Sequence, residues 1–376
     1  MNLFDVYPVF NINLQKAKGS FVYDENNQKY LDLYGGHGVI SIGHSHPTYV
    51  KNIKEQVEKI GFYSNSIKMP LQEELAKKLG RLSGYEDYNL FLCNSGAETN
   101  ENAIKLASFH NGKSKIIAFK NSFHGRTAAT LNVTDNPKLS ANINLNNFET
   151  IFIKLNDEKA LQEALSKNDV AAVIVEGIQG VGGLDEATPE YFKLIADLCK
   201  THNALFIADE IQSGYGRSGH FFAHQLADVK ADIITTAKGM GNGFPIGGVL
   251  INPEIKASYG LLGTTFGGNH LACAAGIAVL EVIENEQLLD KVNQTNSALC
   301  VALKDISAIK KIKGKGLMLG VEFDFPIKEL RGKLLNDHKI FTGASANPNL
   351  LRILPPLNIS EEEILLFASA LKEELI

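Results

Sequence analysis

Three consecutive stretches decide the fold: Val170-Ala171-Ala172-Val173-Ile174-Val175, then Pro189 to His202, then Ala204-Leu205-Phe206-Ile207-Ala208-Asp209. The outer two are apolar without a break, the pattern of strands covered on both faces. Between them Phe192, Ile195 and Cys199 fall on one helical stripe. Working outward, β-rich runs recur at Asn89–Cys93, Lys115–Phe119, Thr150–Lys154, Asp232–Thr236 and Ile246–Ile251, with helical patterns between many of them. Alternation of this kind over roughly 200 residues argues for an α/β fold with a mostly parallel, seven-stranded sheet sandwiched by helices. Towards the N-terminus, Gly19–Asp24 leads into strand-like pieces near Lys29–Leu33. From Pro47 the apolar Val50, Ile53, Val57 and Ile60 repeat at helical spacing. After Gly263 come long helical patterns, Asn269–Glu284 and Gln287–Lys304, a β-like stretch, Leu317–Phe323, and a last helix opening on Ser360 with Glu363 at capping-box spacing. The expected division is an N-terminal segment, 1–46, packing with a small domain; a large domain, 47–262; and a smaller α+β C-terminal domain, 263–376.

Composition narrows the function. The 376 residues are 44% hydrophobic and 21% charged, which excludes wholesale disorder, collagen and coiled coil. A net charge of −5, from 42 acids against 37 bases, gives no reason to expect a nucleic-acid or membrane partner. Met1–Asp5 has neither a basic nor an apolar leader character, and no run approaches the roughly 18 apolar residues of a membrane helix, so a cytoplasmic protein is expected. Cys93, Cys199, Cys273 and Cys300 are widely spaced and read as free thiols. His44-Ser45-His46 has metal-like spacing, but no ligand set is completed nearby; a loop and helix cap is preferred, and no metal is expected.

Three features carry chemistry. Asn94-Ser95-Gly96-Ala97-Glu98 follows a strand, and Ser95 with Glu98 forms a capping box, so a helix begins here. Its small side chains leave backbone N–H groups open to an anion. Asp209 stands at the C-terminal end of an apolar strand, where ligands of open α/β sheets bind. Lys238 ends another strand and enters Gly239-Met240-Gly241, where burial would lower its pKa towards a usable amine. An anion cradle, a strand-end carboxylate and a strand-end lysine are the parts needed to hold pyridoxal phosphate: N–H donors for phosphate, an acid for the pyridine nitrogen, an amine for the aldehyde. The competing class is a nucleotide-binding protein. Gly112-Lys113-Ser114 resembles the end of a P-loop but has Ala107 in place of its first glycine, and Gly239–Gly243 has Phe244 where a dinucleotide fingerprint wants glycine.

On these residues the chain resembles the class III, ornithine-type aminotransferases of the fold-type-I pyridoxal phosphate family, and within them the acetylornithine and succinylornithine enzymes. The matching motifs run in order along most of the chain: Gly43–Pro47, Asn94–Glu98, Phe123-His124-Gly125-Arg126-Thr127, Val175–Gly180, Ala208–Gln212 with Gly214–Gly219, Thr236–Gly241, Gly263–Gly268, and Arg352 within Leu351–Leu357. The resemblance implies that Lys238 forms the Schiff base and moves the proton, and that Asp209 pairs with the ring nitrogen. It implies that Gln212 bonds the ring hydroxyl, Phe123 stacks on the ring, and Ser95, Gly96 and Ala97 hold the phosphate. Thr265 would reach that phosphate from the partner subunit of a homodimer with shared active sites. Arg126 would clamp the donor carboxylate, Thr264 would lie at the substrate, Arg352 would take the keto-acid carboxylate, and Tyr7 would line the entrance. The implied reaction moves the δ-amine of an N-acetyl- or N-succinyl-ornithine to 2-oxoglutarate, a step of arginine biosynthesis. Ornithine, 4-aminobutyrate and other diamines are the alternative donors within the same class.

Two positions depart from the pattern. Gln179-Gly180-Val181-Gly182 stands where the family usually has Gln-Gly-Glu-Gly, so Arg352 is expected to stay open or to find another acid. His37, in Tyr34–Gly38, replaces an aliphatic or aromatic residue of the substrate cavity and could donate a hydrogen bond to an acyl group.

Overall fold

A computed structural model describes residues 1–144 and 148–375 of the chain. Its central sheet has the strands β1 (Asn89–Cys93), β2 (Lys115–Phe119), β3 (Thr150–Ile153), β4 (Val170–Glu176), β5 (Leu205–Asp209), β6 (Ile233–Thr236) and β7 (Gly247–Ile251). Their order is β1-β7-β6-β5-β4-β2-β3. Neighbours from β2 to β6 pair parallel, while β7 runs antiparallel to both β6 and β1. The expected sheet is therefore present, with one reversed strand. Every residue of β4 and of β5 is buried, as their unbroken apolar runs require.

Helices α1 (Pro47–Lys59) and α2 (Pro70–Ser83) precede the first strand, and α3 (Gly96–Asn111), α4 (Glu158–Leu165) and α5 (Pro189–Thr201) lie between strands. The start of α5 follows from its sequence: the Thr188 hydroxyl accepts the Tyr191 N–H at 3.1 Å, and Pro189 occupies the first turn. Its stripe of Phe192, Ile195 and Cys199 is buried, each such side chain contributing about 1.5–3 kcal/mol of burial. Gly112, the P-loop-like glycine, ends α3 in the left-handed region at φ 73°, a helix-terminating role that needs no phosphate. By contrast α1 has its helical stripe but buries none of it: Val50, Val57 and Ile60 lie exposed on the single chain.

Beyond the sheet, α6 (His270–Asn285) is apolar on nearly all sides, which suits a helix buried all round, and it packs on α1 and α2. It is followed by α7 (Leu288–Leu303), then a three-stranded antiparallel sheet of β8 (Ile309–Lys315), β9 (Met318–Phe323) and β10 (Leu350–Ile353), with α8 (Lys328–Asn336) between its second and third strands. The last helix, α9 (Glu361–Leu375), has the full capping box: Ser360 Oγ accepts the Glu363 N–H at 3.1 Å, and the Glu363 carboxylate accepts the Ser360 N–H at 3.0 Å. The ends of the chain share a small sheet, in which Lys29–Asp32 pairs parallel with Ile340–Phe341. His44 and His46 each meet an acid, Asp32 at 2.8 Å and Glu286 at 2.9 Å, so His46 stands at the start of α1 without capping it. All four cysteines are free. Among the described residues no helix is long and apolar enough to cross a membrane.

Candidate active site

The C-terminal ends of the parallel strands open onto a cavity of about 380 Å³. Asp209, at the end of β5, has its carboxylate held from three directions. His124 Nδ1 donates at 2.6 Å, Asn100 Nδ2 at 2.7 Å and the Ile211 N–H at 3.1 Å. Asn100 is itself fixed, accepting from the Thr235 hydroxyl at 2.7 Å and donating to the His124 carbonyl at 2.8 Å. His124 is fully buried, with Nδ1 on the carboxylate and no partner for its Nε2.

Lys238 follows β6 with φ 43°, a left-handed conformation that a lysine adopts only when its surroundings impose it. The imposing contacts come from the N-terminal segment. Ser41 Oγ donates to the Gly239 carbonyl at 2.7 Å, while Asn242 Oδ1 accepts the N–H groups of Ser41 and Ile42 at 2.8 and 3.1 Å. Burial pushes the Lys238 ammonium pKa down and Arg352 adds to this, against the carboxylates of Asp209 and Glu176. Glu176, at the end of β4, accepts the N–H groups of Phe123 and Gly180, both at 2.9 Å. Burial first, and Asp209 second, push its carboxyl up to about 7, although His124 and the two N–H donors pull it down.

The start of α3 forms the opposite wall. Ser95 Oγ accepts the Glu98 N–H, but the Glu98 carboxylate reaches past Ser95 to the Asn94 N–H at 2.6 Å. The box is thus shifted by one residue, and Gly96 and Ala97, whose N–H groups have no partner within the helix, line the cavity. A Cβ on Gly96 would stand 2.8 Å from the Ile211 side chain, so only glycine lets the helix start come this close.

Ser95, Gly96, Ala97, Phe123, Asp209, Gln212 and Lys238 therefore line one cavity. Other expected residues border it. The His37 carbonyl accepts Gln212 Nε2 at 2.9 Å, its ring contacts the Tyr34 hydroxyl, and burial, Arg352 and Lys238 lower its pKa. Thr264 Oγ1 accepts Asn94 Nδ2 at 3.3 Å. Arg352 is buried, donating to the carbonyls of Gly180 at 2.9 Å and Ala344 at 2.5 Å, and no acid among the described residues lies within 4.0 Å of it. Val181 lines the cavity in place of such an acid. Arg126, Thr265 and Tyr7 are exposed in the single chain and do not line the cavity.

Three residues at the site escaped the sequence reading. His124 lay inside a quoted motif without a role, as did Glu176. Asn100 had a legible signal: with Ala103, Ile104 and Ala107 it falls on the buried stripe of α3, and a lone amide there marks a polar target on the sheet.

The family model for class-III aminotransferases matches residues 5–375. The chain belongs to the class-III aminotransferases. It is 39% identical, over 100% of its length and 97% of the relative's, to the acetylornithine aminotransferase of Bacillus subtilis. To that of Methanocaldococcus jannaschii it is 40% identical over 98% of this chain and 94% of the relative. Among solved structures, the acetylornithine aminotransferase of Elizabethkingia anophelis superposes with a TM-score of 0.85 at 31% identity, covering 99% of this chain and 96% of that one. The ornithine aminotransferase of Toxoplasma gondii superposes with a TM-score of 0.91 at 29% identity, covering 99% and 92%.

The cofactor of this class-III aminotransferase is pyridoxal 5′-phosphate, and the residues present fit it. Gln212 Oε1 is buried without a hydrogen-bond partner at the cavity wall. It stands where a Cβ on Gly180 would come within 1.8 Å, so glycine leaves room for that amide. The strand-end carboxylate of Asp209, the amine of Lys238 with its lowered pKa and the start of α3 would supply the remaining contacts.

Proposed function

We propose that the chain moves the terminal amino group of an N-acylornithine to 2-oxoglutarate, giving the N-acylglutamate semialdehyde and glutamate, as a cytoplasmic step of arginine biosynthesis. The observation that carries this is Lys238 and Asp209 facing one cavity in a chain 39–40% identical to acetylornithine aminotransferases along nearly its whole length. Pyridoxal phosphate, when bound, supplies an electron-poor ring that makes the substrate carbon acidic. Asp209, with His124 and Asn100 behind it, would pair with the ring nitrogen and favour its protonated form. Lys238 Nζ, its pKa lowered by burial, takes and returns the proton. Ser95, Gly96 and Ala97 would hold the phosphate, Gln212 would bond the ring hydroxyl, and Phe123 would cover the ring face. Arg352 binds the carboxylate of 2-oxoglutarate. Arg126, Thr264 and Tyr7 complete the donor pocket, and His37 contacts the acyl group.

The same proposal makes the enzyme a homodimer, with Thr265 reaching the partner's phosphate. Its support is an apolar surface left open on the single chain: Val57 on α1, then Phe62, Tyr63 and Phe266. The division at 1–46, 47–262 and 263–376 belongs to the same reading. A donor panel tests the substrate: N-acetylornithine, N-succinylornithine, ornithine and 4-aminobutyrate, each with 2-oxoglutarate. An N-acylornithine should exceed the others in kcat/KM by about tenfold or more, since a site that hydrogen-bonds the acyl group rejects donors lacking it. Faster turnover of ornithine or 4-aminobutyrate defeats the assignment.

A further inference from the structure

A second cavity, of about 700 Å³, lies between the edge of the central sheet and the C-terminal sheet. Its charge is unusual for a chain of net −5. Lys120 and Lys154 are the residues immediately after β2 and β3, so parallel pairing of those strands brings them to one edge. Facing them, Lys311, Lys313 and Lys315 alternate along β8, and strand geometry puts all three on one face. All five line the cavity, and no arginine does.

Three of the lysines have acid partners: Lys120 with Asp135 at 3.5 Å, Lys313 with Asp185 at 2.6 Å, and Lys315 with Glu186 at 3.8 Å. Among the described residues no acid pairs with Lys154 or Lys311. Two unanswered cations from different elements thus share a concave wall with three partly answered ones. A solvated lysine face would spread over a convex surface; here the concavity concentrates positive potential. The volume is that of a small-molecule site.

We propose that this groove is a binding site for a small phosphate-bearing polyanion, a diphosphate or longer, that bridges the sheet edge to β8. With no arginine present, the groove offers only compact lysine charges, which bind phosphoryl oxygens as point charges but lack the two-pronged grip a planar carboxylate gains from a guanidinium. A diphosphate offers two phosphoryl groups, one for each of Lys154 and Lys311, which come from different elements. Asn121, directly after Lys120, and Asn156, two residues after Lys154, lie in the left-handed region at φ 65° and 68°, so the chain turns away from the sheet just past both lysines, and both asparagines line the cavity.

Titration calorimetry of the holoenzyme, whose cofactor occupies the cradle at Ser95–Ala97, tests this with inorganic pyrophosphate at ionic strength held constant with chloride. One saturable site per chain is expected. The double variant Lys154→Gln, Lys311→Gln should weaken binding by at least about tenfold while turnover and thermal midpoint stay as in the wild type. Orthophosphate and citrate should each bind at least about tenfold more weakly than pyrophosphate. No saturable binding, or pyrophosphate affinity untouched by the double variant, overturns the site. Citrate binding as tight as pyrophosphate overturns the phosphate assignment.

Discussion

The two buried charges that face the candidate site are treated in opposite ways. Asp209 is answered on every side: an imidazole, a carboxamide and a backbone N–H converge on it, and two of these donors are themselves anchored. Arg352 is given only carbonyl oxygens; burial lowers its pKa, with Arg331 adding to this, and Tyr34 and Glu176 oppose the shift from a distance with no acid among the described residues in contact. The first arrangement is a charge built in before any ligand arrives. The second is a charge with no counter-ion in contact among the described residues, and in the proposed function the substrate carboxylate supplies it, because an unpaired buried cation gains most from an anion entering beside it. Electrostatic preorganisation thus sits at one end of the cavity and substrate-dependent pairing at the other.

Removing the answered charge should cost most. Asp209→Asn keeps the shape and some hydrogen bonds but removes the negative charge, and kcat/KM should fall on the order of 10³-fold with every donor. Steady-state kinetics with saturating cofactor measures it. A loss smaller than that caused by changing Arg352 would break the comparison. Arg352→Gln should raise KM for 2-oxoglutarate by about 100-fold, the value of one charge-assisted pair, while the donor half-reaction keeps its rate. An equal loss in both half-reactions would mean that Arg352 supports the pocket rather than the acceptor.

Glu176 feels Asp209 and is felt by Arg352, and it sharpens the contrast through pH. Its carboxyl, raised from 4.5 to about 7, is protonated more readily in the folded protein than in the unfolded chain. That stabilisation is complete below the unfolded value and disappears as pH rises through the folded one, a change of about 3 kcal/mol. Glu176→Gln removes the titration, although one backbone N–H loses its acceptor at all pH values. Relative to wild type, the variant should therefore gain up to about 3 kcal/mol in unfolding free energy between pH 4.5 and 8. Urea unfolding at both ends of the range reads it, and a constant difference would show that Glu176 stays ionised throughout.

The two ends of the site also differed in how far they could be read from sequence. Asp209, Lys238 and the Ser95–Ala97 turn lie at ends of strongly apolar strands, so local pattern alone brought them to one edge of one sheet. What holds them there was hidden. Asn100, His124 and Asn242 act across sequence separations of 85 to 201 residues, and pairing at such range leaves no local periodicity. The shifted cap at Glu98 was invisible for a smaller reason: a capping-box spacing does not say which of two adjacent N–H groups the carboxylate takes. On α1 the apolar stripe was legible, but the face it covers was not, since periodicity gives a face and not its partner.

The smallest change is the one that tests the unanswered charge most directly. Val181→Glu adds a carboxylate at the wall where Arg352 lies, turning the second arrangement into a copy of the first. The 2-oxoglutarate carboxylate would then have to displace a built-in partner, and its KM should rise by about tenfold. The donors should respond unequally, for a chemical reason. A donor whose carboxylate is captured by Arg352 presents its α-nitrogen to Lys238. In ornithine that nitrogen is an amine and can react wrongly, whereas in N-acetylornithine it is an amide and can only wait. Masking Arg352 should therefore suppress α-amino transfer from ornithine and leave the product of N-acetylornithine unchanged, which chromatography of the two semialdehyde and keto-acid products resolves. If the ratio of ornithine to N-acetylornithine use is the same in wild type and variant, Arg352 is not open to donors, and something other than a missing acid sets its role.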